Sequence, residues 1–532
     1  MYIGYTAPIL VFVLSVIVSY IFVMSPTANE MANNGYVFIS NAAKAYAICQ
    51  RASKLVQRVL YLRVKENNEA SLPMLSKQIE HVYCKAASQY NHLDVRLILK
   101  QGEVKNENTN FPIDLVIFES ELAKDIDSLK SSVNTIRSGC RVQNLDVNEE
   151  PVGILEKVRT YENVVLGGTF DRLHNGHKVL LSQAVLRATK SVTVGVTDMN
   201  MLQVKTLPEL IQPVEERIKE VHNFLMDINP DLEYNLFPLK DLYGPTKDDP
   251  KFQLIVVSDE TIRGAVKINE KREEKGIPPM DVHVISIIED SQADTSTAEE
   301  GKVSSSNQRI RMLGKTIRRP QPNPNIPDWP YVIGLAGGIA SGKSRILQKL
   351  KEKGAAVLNC DIIAHELYKP GLLLNRTISE NFGKEVITET GEVDRRKLGS
   401  IVFNDKAQLD KLNSLVWPEV MAETQRRIKA LGDEGYRIVV IEAAVMVRAK
   451  WYEYCHQLWT VIIPRDEAIK RIQKRDNLSA EDAAKRVDSQ VSNMDHVAVA
   501  NVVFSPNWST DHTDRQLDVA WKELQEYLAK RM

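Results

Sequence analysis

Closely spaced cysteines are missing from this chain: Cys49, Cys84, Cys140, Cys360 and Cys455 are five in number and widely scattered. An odd, dispersed set excludes a disulfide framework, and no two have the spacing of a zinc or dithiol motif, so a reducing compartment fits best. Also missing is an excess of one charge, since 68 Lys and Arg against 69 Asp and Glu leave a formal net charge of -1. Without a strong basic field, nucleic acid is not an expected partner. No Lys or Arg precedes Lys44, so the basic start of a cleaved signal peptide is absent.

What stands at the start instead is an uncharged, mostly apolar run, Ala7 to Met24, about long enough to cross a bilayer as a helix. Lys44, Arg51, Lys54 and Arg58 follow it, and the positive-inside tendency then places the remainder in the cytosol. The expectation is a membrane anchor over 1–25, with a buried core helix as the other reading. A chain of 532 residues calls for several domains. Residues 26–158 show helical spacing of apolar residues, around Leu55 to Val64, and no catalytic constellation. From 159 to 318 the pattern becomes strand, glycine-rich turn and helix: strand 163–166, helix 177–189, strand 191–197 and a later strand 254–258. Five prolines between Arg318 and Pro330 predict an extended spacer over 319–330. A second alternating domain follows over 331–532, opening with strand 331–336 and helix 343–351. Alternation of this kind predicts the α/β class, with parallel sheets flanked by helices.

The second domain holds the run GLAGGIASGKS. Gly337, then Gly338, Ile339, Ala340 and Ser341, then Gly342, Lys343 and Ser344 form a phosphate-binding loop placed between strand and helix. Glycines let backbone N–H groups point inward at phosphates, Lys343 bridges the β and γ oxygens of ATP, and Ser344 can ligate magnesium. The loop alone fits a kinase, a GTPase or an ATP-driven motor. Strand 355–359 delivers Asp361 to the carboxyl edge of the sheet, where it can accept the proton of an acceptor hydroxyl or cap the helix starting at Ile362. Farther on, Arg471, Arg475 and Arg486 lie in a charged helical hairpin that suits either a lid over phosphates or a plain solvated face.

Together GLAGGIASGKS, the run Asp361 to His365, VDRRKLGSIVF, Trp417-Pro418 and RIQKRD resemble the dephospho-coenzyme A kinase family over residues 331–510. The resemblance implies transfer of the ATP γ-phosphate to the ribose 3′-hydroxyl of dephospho-coenzyme A, with Asp361 as base and Arg475 as lid arginine. Three positions depart from the family pattern: Asn359 replaces an aspartate, Glu442 replaces another, and Arg448 stands where a glutamate commonly follows.

The first alternating domain carries GGTFDRLHNGHKVLL, which sets His174 and His177 three apart around Gly176 at the start of a helix. Two imidazoles at a helix N-terminus, with a glycine for close backbone approach, make a site for a nucleoside triphosphate. No Cys or carboxylate cluster completes a zinc site there. The run VSSSNQRIRMLG adds Ser304, Ser305, Ser306, Arg309 and Arg311, which can gather leaving phosphates or cap a helix. With VSDETIRGAVKINEKR, these motifs resemble the His-x-Gly-His nucleotidyltransferases, and among them phosphopantetheine adenylyltransferases. That resemblance implies adenylyl transfer from ATP to 4′-phosphopantetheine. It casts Gly168, Thr169, Gly176, Arg263, the serines and Arg309 as ATP or phosphate contacts, and Lys205 as a holder of the acceptor phosphate.

The implied architecture is a Rossmann-like nucleotidyltransferase domain followed by a P-loop kinase domain. This tandem order resembles the bifunctional coenzyme A synthases of animals, which implies two consecutive ATP-dependent steps, Mg2+ at both, and attachment to the mitochondrial outer membrane; the charge pattern by itself equally allows the endoplasmic reticulum membrane, and the cytoplasm is the other alternative. Two other readings remain at this point: transfer to another acceptor such as nicotinamide mononucleotide, and an anchored scaffold whose sites have decayed.

Overall fold

Residues 56–64, VQRVLYLRV, form a strand and not the expected helix. The run is buried along most of its length, and a strand covered on both faces reads as a near-continuous apolar stretch that period alone cannot tell from a helix. A computed structural model describes residues 31–67, 71–149, 155–294, 296–402 and 405–531. The apolar run Ala7 to Met24 lies outside these residues, and among the described residues no helix is long and apolar enough to cross a membrane. The strand just named, β2 (Val56–Val64), belongs to a sheet with β1 (Ala32–Ile39), β3 (Asp94–Ile98), β4 (Ile113–Phe118) and β5 (Ile136–Asn144), connected by α1 (Ala45–Ala52), α2 (Leu72–Gln89) and α3 (Ile126–Ser131). All its pairings are parallel, in the order β3-β2-β1-β4-β5. Residues 26–158 thus hold an α/β layer of their own where sequence reading found mixed helical patterns.

The second sheet follows the same course. It comprises β6 (Tyr161–Gly168), α4 (Asn175–Arg187), β7 (Ala188–Thr197), α5 (Val214–Ile228), β8 (Glu233–Leu239), β9 (Leu254–Ser258), α6 (Ile262–Glu274) and β10 (Asp281–Ile285). Its order is β8-β7-β6-β9-β10, again parallel throughout. Helix α4 stops two residues short of the expected 189 because Ala188 already begins β7. One continuous apolar core runs through both sheets, joining Val37 and Leu62 of the first to Leu166 and Val194 of the second.

After α7 (Ser305–Met312) comes the third sheet, β11 (Tyr331–Gly337), α8 (Lys343–Glu352), β12 (Ala356–Asn359), α9 (Cys360–Leu367), α10 (Leu373–Phe382), α11 (Arg395–Val402) and α12 (Lys406–Asp433). It continues with β13 (Ile438–Glu442), β14 (Gln457–Val461), α13 (Arg465–Asp476), α14 (Ala480–Asp488), α15 (Asn493–Val499), β15 (Val502–Phe504) and α16 (Thr510–Ala529). The order β12-β13-β11-β14-β15 is parallel and places β11, with its phosphate-binding turn, at the centre.

The chain divides into two compact units, one built from residues up to 295 with 299–308, the other from 309 onward with 296–298. The proline-rich stretch, which forms no helix or strand, falls within the second unit and is hydrogen-bonded to it. Arg318 donates to the Ala500 carbonyl at 2.7 Å and Asn323 to that of Glu453 at 2.7 Å. Just before it, the Gly314 N–H donates to Val503 O at 2.9 Å, Ile317 N–H to Asn501 O at 2.8 Å, and Thr316 pairs antiparallel with Val502.

Candidate active sites

Strand β6 ends at Gly168, and the turn that follows is held in a conformation most residues avoid. Phe170 and Arg172 have φ of 50° and 48°, a left-handed backbone that costs a non-glycine residue about 1–3 kcal/mol and persists only where its surroundings enforce it. The enforcement is visible. Phe170 is buried, with its ring 5.1 Å from that of His177. The buried Asp171 carboxylate accepts from Gln212 N–H at 3.0 Å and from the Arg172 guanidinium at 2.9 Å. Arg217 arrives from α5, wholly buried, and donates to the carbonyls of Gln212 at 2.9 Å and Thr169 at 2.6 Å. Asp171 lies inside the motif, but Gln212 comes from the loop before α5 and Arg217 from α5 itself, and nothing in their local sequence announces them.

This turn delivers the two histidines stacked, with ring centroids 3.7 Å apart and planes 18° from parallel. His174 is the N-cap of α4, its Nδ1 accepting from His177 N–H at 3.4 Å, while His177 Nδ1 accepts from His174 N–H at 3.5 Å. A nitrogen that accepts from a backbone amide carries no proton, so both neutral rings bear theirs on Nε2. Desolvation pushes the His177 pKa down to about 3, which keeps it a neutral hydrogen-bond donor at physiological pH. Gly176 lets the His174 ring sit close: a Cβ there would stand 3.2 Å from that ring, a tight contact that only a shift of the ring would relieve.

The serine run lies against the same turn, with Ser305 Oγ donating to Asp171 O at 2.9 Å. Ser304 accepts from Asn307 N–H at 3.2 Å, the capping role foreseen for the run, and Ser306 is half-buried. Arg309 on α7 is fully buried. Lys205 lies in an exposed turn after β7, and Arg263 in the exposed first turn of α6. Neither is tied into the histidine turn.

In the second unit, Gly337, Ile339, Ala340, Ser341, Gly342, Lys343 and Ser344 line a cleft of about 640 Å³ with Asp361, Glu442, Arg471, Arg475 and Gln490. Gly337 has φ 145°, and a Cβ on it would sit 2.4 Å from Val461 O; only glycine fits this crossing of β11 and β14. Gly338 follows, and the Ile339 N–H donates to Gln490 at 2.7 Å. The Lys343 ammonium donates to Gly337 O at 2.7 Å and Gly338 O at 2.9 Å, folded back over the loop. Desolvation lowers its pKa, against the pull of Glu442 and Asp361.

Asp361 does not cap α9. The cap is Asn359, whose carbonyl oxygen accepts from Ile362 N–H at 3.0 Å and whose amide donates to Glu442 at 2.9 Å. Asp361 is thereby left to the cleft. Although open to it, the carboxyl loses enough water to the surrounding protein that its pKa is raised, and burial raises that of Glu442 as well. Of the hairpin arginines, Arg471 and Arg475 line the cleft, and Arg486 does not; Asp476 holds both Arg475, at 2.7 Å, and Arg486, at 3.0 Å. Arg448 is exposed in the turn after β13.

Residues 331–511 match a family model described as dephospho-CoA kinase. Dephospho-CoA kinase of Carboxydothermus hydrogenoformans is 36% identical over 186 residues, which are 35% of this chain and 90% of that protein. The chain belongs to the dephospho-CoA kinase family. The solved structure of dephospho-CoA kinase from Campylobacter jejuni is 26% identical, covering 37% of this chain and 98% of that one, with a TM-score of 0.30. Residues 165–311, upstream of the kinase domain, match a cytidylyltransferase-like family model. Phosphopantetheine adenylyltransferase of Saccharomyces cerevisiae is 40% identical over 162 residues, 30% of this chain and 52% of that protein. A dephospho-CoA kinase domain is thus joined in one chain to a cytidylyltransferase-like domain.

Proposed function

We propose that the chain carries out two consecutive transfers on one acceptor, the last two steps of coenzyme A synthesis. One observation carries this reading: two phosphate sites, each at the carboxyl edge of its own parallel sheet, stand in one chain whose kinase domain takes as acceptor what the other site would produce. In the first step a phosphate oxygen of 4′-phosphopantetheine attacks the α-phosphorus of ATP, the bond to the β-phosphate oxygen breaks, and pyrophosphate leaves. The Nε2–H groups of His174 and His177 and the amides at the start of α4 meet the negative charge that develops, without taking part in proton transfer. Thr169 and the serine run border the same turn, and Lys205 and Arg263 are the cations assigned to the phosphates.

In the second step the ribose 3′-hydroxyl attacks the γ-phosphorus and gives its proton to Asp361, while the bond to the β-phosphate oxygen breaks and ADP leaves. A carboxylate with a raised pKa is a stronger base, which suits Asp361 to this role. Lys343 and the loop amides hold the phosphates, and Arg471 and Arg475 close over them from α13. The Ser344 hydroxyl and the neighbouring Glu442 carboxylate supply hard-oxygen donors, which fit Mg2+ and leave Asp361 to take the proton. When bound, that ion would neutralise phosphate charge.

Attachment to a membrane through Ala7 to Met24, with the catalytic units facing the cytosol, is part of the proposal, and the mitochondrial outer membrane is the site the resemblance favours. Deleting residues 1–30 should release the protein from the membrane fraction of cells; retention there would refute the anchor. For the chemistry, purified protein with ATP, Mg2+ and 4′-phosphopantetheine should yield coenzyme A by mass. Lys343→Ala should stop at dephospho-coenzyme A, whereas His177→Ala should block its formation and spare its phosphorylation when supplied. Absence of both products from the unaltered protein would overturn the reading.

A further inference from the structure

Helix α4 carries the histidines in its first turn, and past them every residue from Lys178 to Arg187 is buried. Four of these are polar: Lys178, Ser182, Gln183 and Arg187. Spacings of four, one and four put them on one side of the helix. A helix lying on a single sheet would turn such a stripe to water. Here the stripe is turned to the N-terminal sheet. Lys178 Nζ donates to the Asp94 carboxylate of β3 at 2.6 Å and to Val95 O at 3.2 Å. Gln183 donates to Ser76 O of α2 at 3.0 Å and accepts from Ser76 Oγ at 3.0 Å.

The Lys178 contact sits in a closed network. Asp94 also accepts from Arg96 at 2.7 Å, Arg96 pairs with Asp227 of α5, and Tyr61 of β2 donates to Asp227 at 2.8 Å. Lys178 also lies one residue after His177, and its backbone N–H closes the first turn of α4 onto His174 O at 3.1 Å. The N-terminal sheet moreover repeats the strand order of the catalytic one, central strand for central strand. Where the catalytic sheet carries its histidine turn after β6, the N-terminal sheet continues from β1 into Ser40 and Asn41, and buried Lys44 pairs with Glu119 at 2.9 Å and Glu121 at 3.0 Å. The equivalent place is filled by the protein's own ion pairs and has no histidine.

We propose that the N-terminal sheet is a non-catalytic repeat of the nucleotidyltransferase topology that holds α4, and that Lys178 is a positioning residue for adenylyl transfer, fixing the histidine turn through its ion pair with Asp94. The proposal rests on the adenylyltransferase reading given above. It is tested in the full chain, where phosphorylation of supplied dephospho-coenzyme A reports on the second unit independently. Lys178→Met and Asp94→Asn should each lower kcat for dephospho-coenzyme A formation roughly 10–100-fold, the scale on which small misplacements of reacting groups act. KM for ATP and for 4′-phosphopantetheine should move less than about threefold, since binding contacts are untouched. Lys178→Arg should restore most of the rate, and the double variant should be no slower than the worse single one, as expected of coupled partners.

An unaltered protein that forms no dephospho-coenzyme A would sink the adenylyltransferase reading itself. An active unaltered protein whose Lys178→Met variant keeps its kcat, or loses only KM, would overturn the positioning role alone. Should Lys178→Met fail to fold, Asp94→Asn reads the same contact with the lysine in place, and an unchanged kcat there is equally decisive against it.

Discussion

Asn359 answers two needs with one side chain: its carbonyl caps α9 and its amide engages Glu442. Replacing it with alanine removes an N-cap worth about 0.5–2 kcal/mol and leaves the Glu442 carboxylate, 9% exposed, without its donor. Asn359→Ala should therefore lower the melting temperature and slow phosphorylation of dephospho-coenzyme A, both readable on one preparation; a variant as stable and as fast as the parent would contradict this. At this scale the sequence was partly legible. The P-loop and the histidine pair could be read because their partners lie within a few residues. The choice of Asn359 over Asp361 as cap could not, since both fit a cap and only the placement of Glu442 across the sheet decides between them. Arg217 was beyond reach for the same reason, being brought to the histidine turn by tertiary packing alone.

Elements carry a second set of consequences. The turn from β11 into α8 passes so close to β14 that a methyl at Gly337 would overlap Val461 O. Gly337→Ala should abolish phosphoryl transfer while adenylyl transfer in the same chain continues at its usual rate. Helix α13 presents Arg471 and Arg475 to the cleft, and Arg475→Ala should reduce kinase kcat by roughly 100–1,000-fold, in line with loss of a donor to developing charge; a change confined to KM would make it a ground-state contact instead. Strand–helix alternation was legible from Asn163 onward because turns rich in glycine punctuate it. It failed over residues 56–64, where Val, Leu and Tyr fill a strand buried on both faces and leave no alternation to detect. The strand order shared by the first two sheets could not be read from the sequence at all, because pairing between strands far apart leaves no local mark.

For the molecule as a whole, four histidines set the response to acid. Desolvation pushes His177 down to about 3 and His283, His456 and His496 down to about 4. In the unfolded chain each would titrate near about 6.5. The unfolded state then binds more protons throughout this interval, so their contribution to stability is fully present above about pH 6.5 and is lost progressively as pH falls toward 4. Glu80, Asp361 and Glu442, whose pKa values are raised by desolvation, act in the opposite sense in the acid range but are fewer. Melting temperature should thus drop between pH 7 and pH 5, in calorimetry at constant ionic strength; an unchanged or rising value would refute the assignment. With two histidines in each unit, both transitions should move if two are resolved.

The short segment 314–317 laid along β15 has a practical meaning for anyone shortening this protein. A kinase fragment begun at Tyr331 would strip it away and uncover the outermost strand of the sheet, a row of unpaired amides and carbonyls of the sort that recruits other chains. Such a fragment should self-associate as its concentration rises, whereas one begun at Arg309, carrying its own edge cover, should stay monodisperse.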